Sequence, residues 1–450
     1  MSRRSGSLKP LRSFLKTSLP AAIDLASQTI MWTIEAILIG KLGGAALAGH
    51  SMAIQIVLVF FAVLITFVVG AGLIINRYIG ARDLKSANHI LGQALMLAVI
   101  MAALFSFIWH FGGVQLLRLI RENGSDSAQA AGMSYLRMVS FFGPLIMTNF
   151  VAVGIIRAIG ETRFSMRINL TTNVVNLLLA PIFIFGLFGA PRLEVRGAAL
   201  AVGCAHTLGF FLTIRLLRSG RTGLRLDYHE LTSPKWDSFR ELFRKGLPTT
   251  VEQLAWSLGQ LVVISYAGMF SVAVLGTHAI FMRLQNVLSM IYMGFSLAAM
   301  SNMGQNLGAA NHEQALKGAK TSHRAALLFV GVIILMLILF AKQFIHVFTV
   351  DSQIVQLGRR AIVIFALAQL PKAVNNVVCG NLRGVGELKW LMLNTIAFVL
   401  FFEVGLNYVA VFLLAGGIYG IWTVQALDET LRLILNVKRL YNGDWRRLVY

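Results

Sequence analysis

Apolar residues run along this chain in long, nearly uninterrupted blocks, separated by short segments rich in Gly, Lys and Arg. A block of about 20 such residues forms a helix long enough to cross a hydrocarbon layer of about 30 Å. Twelve blocks qualify, at about 17–40, 46–72, 90–111, 133–156, 168–189, 197–214, 246–269, 273–300, 325–346, 361–382, 390–413 and 417–437. The pattern predicts an all-α polytopic membrane protein with twelve transmembrane helices.

Composition agrees: of 450 residues, 57% are hydrophobic and 13% charged, and mean hydropathy is +0.72. Soluble domains carry about 25% charged residues, so a water-soluble enzyme is excluded. The net charge of +21 would point to nucleic acid in a soluble protein, but its placement gives it another meaning. With the N-terminus inside, 29 of the 40 basic residues fall in inside segments, from Arg3 in the leader to a tail running from Arg432 to Arg447. Eight fall outside (Lys41, Arg118, Arg121, Arg192, Arg196, Lys342, Arg359 and Arg360), and Arg137, Arg283 and Lys372 lie within spans. This asymmetry places both termini in the cytoplasm and makes anionic lipid headgroups, not nucleic acid, the partners of the charge. A bacterial inner-membrane location is expected. The leader has a basic start but no small-residue cleavage site before a short apolar core, so a removable signal peptide is not expected. Cys204 and Cys379 lie in apolar stretches of different spans and are read as small buried side chains.

The chain also repeats itself. At a shift of 228 residues, Leu19-Pro20 falls on Leu247-Pro248, Asp24 on Glu252, Gly40 on Gly268, His50 on His278 and Gly80-Ala81 on Gly308-Ala309. Further on, Pro144 falls on Pro371, and Arg157, Gly160 and Glu161 fall on Arg383, Gly386 and Glu387, with the shift reduced by one or two. Two homologous lobes follow, helices 1–6 in 1–218 and helices 7–12 in 245–450, joined by a basic cytoplasmic linker at 219–244. Six spans per lobe keep both copies in one orientation, an arrangement of transporters whose lobes rock about a shared substrate site. Paired prolines fit that motion, since Pro20 and Pro248 interrupt backbone bonding in the first helix of each copy and are expected hinges.

Charges inside a bilayer are costly and mark function. Asp24 and Glu35 are 11 residues apart, which at 100° per residue returns within about 20° of one face, and Gln28 extends the stripe. Glu252, Gln253 and Gln260 form a looser counterpart in the seventh span. Buried carboxyls of this kind hold a proton and release it when a cation arrives. Alternatively, Asp24 and Glu252 cap a freed amide or pair with Lys16 and Lys245, and Glu35 reaches the interface beside Lys41. Asn169, Asn173 and Asn176 share helical spacing in the fifth span, where interhelical hydrogen bonding or ion ligation would each use them. Lys372 follows Pro371 with Asn375 and Asn376 nearby and either pairs with a carboxylate across the cavity, the favoured reading, or caps a helix near the outer face. His50 and His278 read as packing histidines. No phosphate loop, metal-spaced cluster or nucleophile elbow is present, so the expectation is a non-enzyme driven by an ion gradient, without a prosthetic cofactor.

Several motifs together resemble the multidrug and toxin extrusion (MATE) family of secondary transporters. They are Leu19-Pro20 with Glu35 fifteen positions later, Gly40-Lys41-Leu42-Gly43, Tyr78-Ile79-Gly80-Ala81-Arg82-Asp83 and Arg157-Ala158-Ile159-Gly160-Glu161-Thr162. The second half adds Gly246-Leu247-Pro248, Gly304-Gln305-Asn306-Leu307-Gly308-Ala309 and Leu382-Arg383-Gly384. The resemblance implies two six-helix lobes in a V, alternating access, and export of organic cations against H⁺ or Na⁺. In the family the first-helix acid, usually Asp, couples the ion; Glu35 stands there, and Asn176 matches a fifth-helix partner. Ala180 and Val202 replace oxygen-bearing residues common in the family, which favours H⁺ over Na⁺. Lys372 stands where some members carry a tenth-helix acid, and Glu252 matches a seventh-helix acid.

The resulting expectation is an antiporter for cationic drugs or other xenobiotics, acting as a monomer among membrane lipids. Glu35 and Asp24 accept protons with Asn176 beside them, and Glu252 and Lys372 form a charge pair in the second half. Gln28, Asn173, Gln253, Lys372 and Asn376 line the substrate cavity. A flippase for lipid-linked oligosaccharides is the alternative, because Arg137, Arg283 and Lys372 would suit a pyrophosphate.

Overall fold

The computed structural model describes residues 4–120, 126–349 and 351–443. Arg3, Arg121, Arg446 and Arg447 of the charge tally lie outside the described residues. The first half comprises α1 (Arg4–Gly40), α2 (Gly44–Gly80), α3 (Leu84–Ile120), α4 (Asp126–Ala158), α5 (Thr162–Phe185), α6 (Val195–Ser219) and the single turn α7 (Tyr228–Thr232). The second comprises α8 (Trp236–Phe270), α9 (Val272–Gly308), α10 (His312–Leu339), the short α11 (Ala341–His346), α12 (Ser352–Val385), α13 (Leu388–Phe398) and α14 (Gly417–Asn442). Beyond α13 the chain continues as π-helix through Val399–Leu406 and Val409–Leu413.

Each expected span falls on a helix, and ten helical passages among the described residues are long and apolar enough to cross a membrane. The other two, α8 and α14, are as long but carry Glu252, Gln253 and Gln260, or Asp428, Glu429 and Arg432, along their apolar runs. The helices outlast the hydrocarbon: α2, α3 and α9 have 37 residues each, about 55 Å at 1.5 Å per residue. Their polar ends stand beyond the apolar blocks, which is why hydropathy alone placed the boundaries short.

Residues Ile23–Leu247 form one compact unit. Its core includes Leu64, Phe67, Leu73, Ile75, Leu91, Leu95 and Trp109, all fully buried. The start of α8 belongs to it: Phe243 packs edge-on against Phe67 with ring centres 5.1 Å apart, and Leu242 is fully buried. At Gly246 the two backbones nearly touch, since a Cβ there would lie 1.9 Å from the Thr66 carbonyl oxygen. Gln93 straps α7 to α3, donating to the carbonyls of Glu230 at 2.9 Å and Ser233 at 3.0 Å and accepting from the Lys235 amide at 2.8 Å.

The chain up to Ala22, together with the chain from Pro248 onwards, forms the other unit. The start of α1 packs there as the start of α8 packs in the first unit. Phe14 meets Phe295 of α9 edge-on at 5.8 Å, and Gly294 lets α9 approach the backbone of Ala22. Gly294 is the repeat position of Thr66, so the close crossing recurs with the glycine moved from one helix to the other. Phe281 stacks on Phe365, and Trp422 meets both edge-on, in another core cluster of this unit.

The turns repeat as well. Arg82 and its counterpart Ala310 both take left-handed backbone, at φ 60° and 54°, and Gly160 and Gly386 both sit at φ 91°. Asp83 Oδ1 accepts from the Ser86 amide at 3.0 Å at the start of α3, and Asn311 Oδ1 accepts from the Gln314 amide at 3.1 Å at the start of α10.

Candidate functional site

Each unit contains a polar cluster centred on the helix that carries its paired proline. In the unit of residues 23–247, Asp24 stands one helical turn beyond Pro20 on α1 and is fully buried. Arg157, on the last turn of α4, donates through Nε to Asp24 Oδ2 at 2.9 Å, and Asn169 of α5 donates to Oδ1 at 2.6 Å. One turn on, Asn173 donates to Ser27 Oγ at 3.1 Å. Asn176 is buried, and its Oδ1 has no hydrogen-bond partner among the described residues. Gln28 is half-buried and makes no described hydrogen bond.

Glu35 lies about 16 Å further along α1 from Asp24. It is 2% exposed, and its described partner is the Tyr135 hydroxyl, which donates to Oε1 at 3.4 Å. Tyr135 in turn packs edge-on against His50, ring centres 4.9 Å apart. Asp24 therefore faces a cation, whereas Glu35 forms no ion pair among the described residues. The two acids share a helix and occupy different surroundings.

The other unit repeats the first pair. Glu252, four residues after Pro248, accepts from Arg383 of α12 at 2.8 Å through Oε1. Asp24 and Glu252 are repeat positions, as are Arg157 and Arg383. The alternative partners Lys16 and Lys245 are thus replaced by arginines of the fourth and tenth spans. The expected pairing of Glu252 with Lys372 is also corrected: Lys372 Nζ meets Glu429 Oε1 of α14 at 3.0 Å. Glu252 stands near the middle of α8, where Arg383 on the last turn of α12 reaches it, while Lys372, three turns earlier on α12, meets α14 instead.

Around Lys372 lies a buried network that sequence reasoning missed. Glu429 Oε2 accepts from Asn375 at 3.1 Å, and Asn375 Oδ1 accepts from Asn436 at 2.9 Å. Trp390 Nε1 and Asn394 both donate to Asn436 Oδ1, at 2.9 and 3.0 Å. Arg432 grips Asp428 through both carboxylate oxygens at 2.8 Å. Glu403, on the first π-helical stretch, accepts from Gln260 at 2.7 Å through Oε2, and its Oε1 has no hydrogen-bond partner among the described residues. The charge asymmetry assigns Arg432 to the cytoplasmic tail, whereas in the structure it is buried within α14 and paired with Asp428. The available signal was the run Asp428-Glu429 followed by Arg432 within the last apolar block.

Of the expected cavity residues, Asn376 donates to the Lys372 carbonyl at 3.1 Å and Gln253 is exposed. His278 is buried beside Trp422, ring centres 5.9 Å apart. Cys204 and Cys379 are both unbridged.

The MatE family model matches this chain twice, over residues 20–182 and 248–409. The chain belongs to the MatE family. The two matches begin at the paired prolines, and MatE proteins are transporters. The chain is 26% identical over 439 residues to a probable multidrug resistance protein NorM of Thermotoga maritima, covering 97% of this chain and 93% of that one. It is 25% identical over 351 residues to a FAD transporter of Shewanella oneidensis, covering 77% and 76%. Among solved structures, an outward-facing multidrug resistance MATE transporter matches at TM-score 0.87 and 22% identity, covering 98% of this chain and 96% of that chain. A MOP superfamily transporter from Pyrococcus furiosus matches at 0.85 and 22%, with the same coverage. These MatE relatives do not favour the flippase alternative.

Proposed function

We propose that this MatE transporter is a proton-coupled antiporter of the bacterial inner membrane, with both termini in the cytoplasm. It exports organic cations or other xenobiotics by alternating access, and Glu35 takes up and releases the coupling proton. One observation carries this reading: Glu35 is a buried carboxyl with a hydroxyl but, among the described residues, no ion-pair partner, while Asp24, Glu252 and Glu429 each face a basic side chain. An unpaired buried charge costs several kcal/mol, so the site favours either a neutral acid or a carboxylate neutralised by an arriving cation. That alternation is the chemistry of exchange. Ala180 and Val202 supply no oxygen to hold Na⁺ near Asn176, which supports H⁺ as the coupling ion.

On this reading Asp24 with Arg157 and Glu252 with Arg383 are fixed ion pairs, and Pro20 and Pro248 are the hinges. The division into compact units supports those hinges, since it falls within two residues of Pro20 and immediately before Pro248. Gln28, Asn173, Gln253, Lys372 and Asn376 are the proposed substrate contacts. The test is exchange in proteoliposomes with H⁺ and Na⁺ gradients imposed separately. Drug movement is expected with the H⁺ gradient alone. Movement driven only by Na⁺ would overturn the proton assignment.

A further inference from the structure

In the unit of residues 23–247, a groove of about 730 Å³ opens between α3, α4 and α6, away from the polar cluster on α1. It is lined by His110 and Phe111 of α3, Arg137 and Phe141 of α4, and Arg196 at the start of α6. No acidic side chain is among the residues lining it. Neither arginine has an ion-pair partner among the described residues, and Glu194, the nearby acid in sequence, is engaged by Arg192 at 3.3 Å. Both arginines are exposed. His110 Nδ1 is engaged with Ser140 Oγ at 3.0 Å, which leaves Nε2 available to the groove.

The apolar flank has its own arrangement. Phe111 and Phe141 are 65% and 69% exposed and pack edge-on around His110, with ring centres 4.8 and 5.1 Å from it; Phe107 packs tilted against Phe111 at 4.7 Å. Arg137 is 11 residues into α4, about 16 Å along a helix about 50 Å long. With hydrocarbon about 30 Å thick, its extended side chain reaches the headgroup boundary, while the phenylalanines lie against the upper acyl chain. The charge tally places this end of the bundle on the outer face, where basic residues are scarce. Two unpaired arginines gathered there are not an orientation signal.

We propose that this groove binds the phosphate of an anionic phospholipid, clamped by Arg137 and Arg196, with an acyl chain along Phe111 and Phe141. Guanidinium groups match phosphate oxygens with paired, charge-assisted hydrogen bonds, and basic pockets between membrane helices recognise lipid headgroups in this way. The aromatic flank distinguishes a lipid from a free phosphate, which would use the arginines alone.

The test uses the full-length protein in nanodiscs of mixed phosphatidylglycerol and phosphatidylethanolamine, with retained lipids read by native mass spectrometry. The wild type is expected to retain phosphatidylglycerol preferentially. Arg137→Gln with Arg196→Gln removes both charge-assisted contacts and should lower that preference by about tenfold or more. Arg192→Gln, which removes an exposed arginine already paired with Glu194, should leave the preference unchanged. Arg137→Lys, which keeps the charge and loses the fork, should lower it by less and provides the readout should the double variant not fold. Retention unchanged in the double variant and in Arg137→Lys, or an equal loss in Arg192→Gln, would overturn the site. Stabilisation of the delipidated protein by inorganic phosphate to the extent given by the lipid would overturn the lipid and leave a free-anion site.

Discussion

Arg157 donates to Asp24 across 133 residues of sequence, at 2.9 Å, where the carboxylate is fully buried. The same pair recurs as Arg383 and Glu252 in the other unit. Removing one partner of such a pair strands the other charge, at about 3–5 kcal/mol, while removing both leaves a neutral site. Asp24→Asn is therefore expected to lower unfolding stability in detergent by about that amount, and adding Arg157→Gln should restore most of it. A double variant as unstable as the two single losses added together would show that the pair is not the unit of stability.

Glu35 has no ion-pair partner to strand among the described residues. Glu35→Gln keeps the shape and the Tyr135 contact, so unfolding stability should change by less than about 1 kcal/mol. Proton-driven drug exchange in proteoliposomes should nevertheless fall to background. Near-normal exchange would remove Glu35 from the coupling role.

Hinge function predicts a different signature for the prolines. Pro20→Ala and Pro248→Ala each restore a helix-favouring residue to a continuous helix, so folding should persist or improve. Turnover should slow while substrate affinity is retained. A variant that transports at the wild-type rate would mark its proline as a static bend.

Much of this architecture was legible because apolar block length and the 228-residue shift depend only on local composition and order. Asp24 and Glu252 were legible too, as charges where charge is costly. Their partners were not. Arg157 and Arg383 sit on the last turns of helices that outlast the hydrocarbon, so a topology tally assigns them to loops. The network around Lys372 draws on α8, α12, α13, the π-helical stretch and α14, and no spacing rule relates Glu403 to Gln260 across 143 residues. Arg432 lies within the last apolar block, and assigning it to the basic tail that follows hid it among the charges of that tail.

The start of α3 makes a pH prediction outside the membrane. Hydrogen bonds from Ser86 hold the Asp83 carboxyl below its ordinary value of 3.8. A lowered folded value means that this contribution to stability is present above the ordinary value and is lost as pH falls through the lowered one. The counterpart Asn311 caps α10 with no such titration. Asp83→Asn should keep the cap and flatten that part of the acid limb in a series of unfolding curves, whereas Asp83→Ala should lose the cap at every pH. Identical acid limbs for wild type and Asp83→Asn would refute the assignment.

Lys372 offers a test of the network as a single electrostatic unit. It meets Glu429 at 3.0 Å and lies 6.0 Å from the ring centre of Trp256, while Arg432 is committed to Asp428. Without Lys372, the acids Glu403, Asp428 and Glu429 share one arginine. Lys372→Met should therefore destabilise more than Glu429→Gln, which removes a charge from the acidic side and leaves Lys372 near Glu403 and Asp428. Combining the two should recover part of the loss, and the coupling energy from the four unfolding measurements should be about 1–3 kcal/mol. Additive losses would mean that Lys372 and Glu429 touch without depending on one another, and that the network is a set of separate contacts.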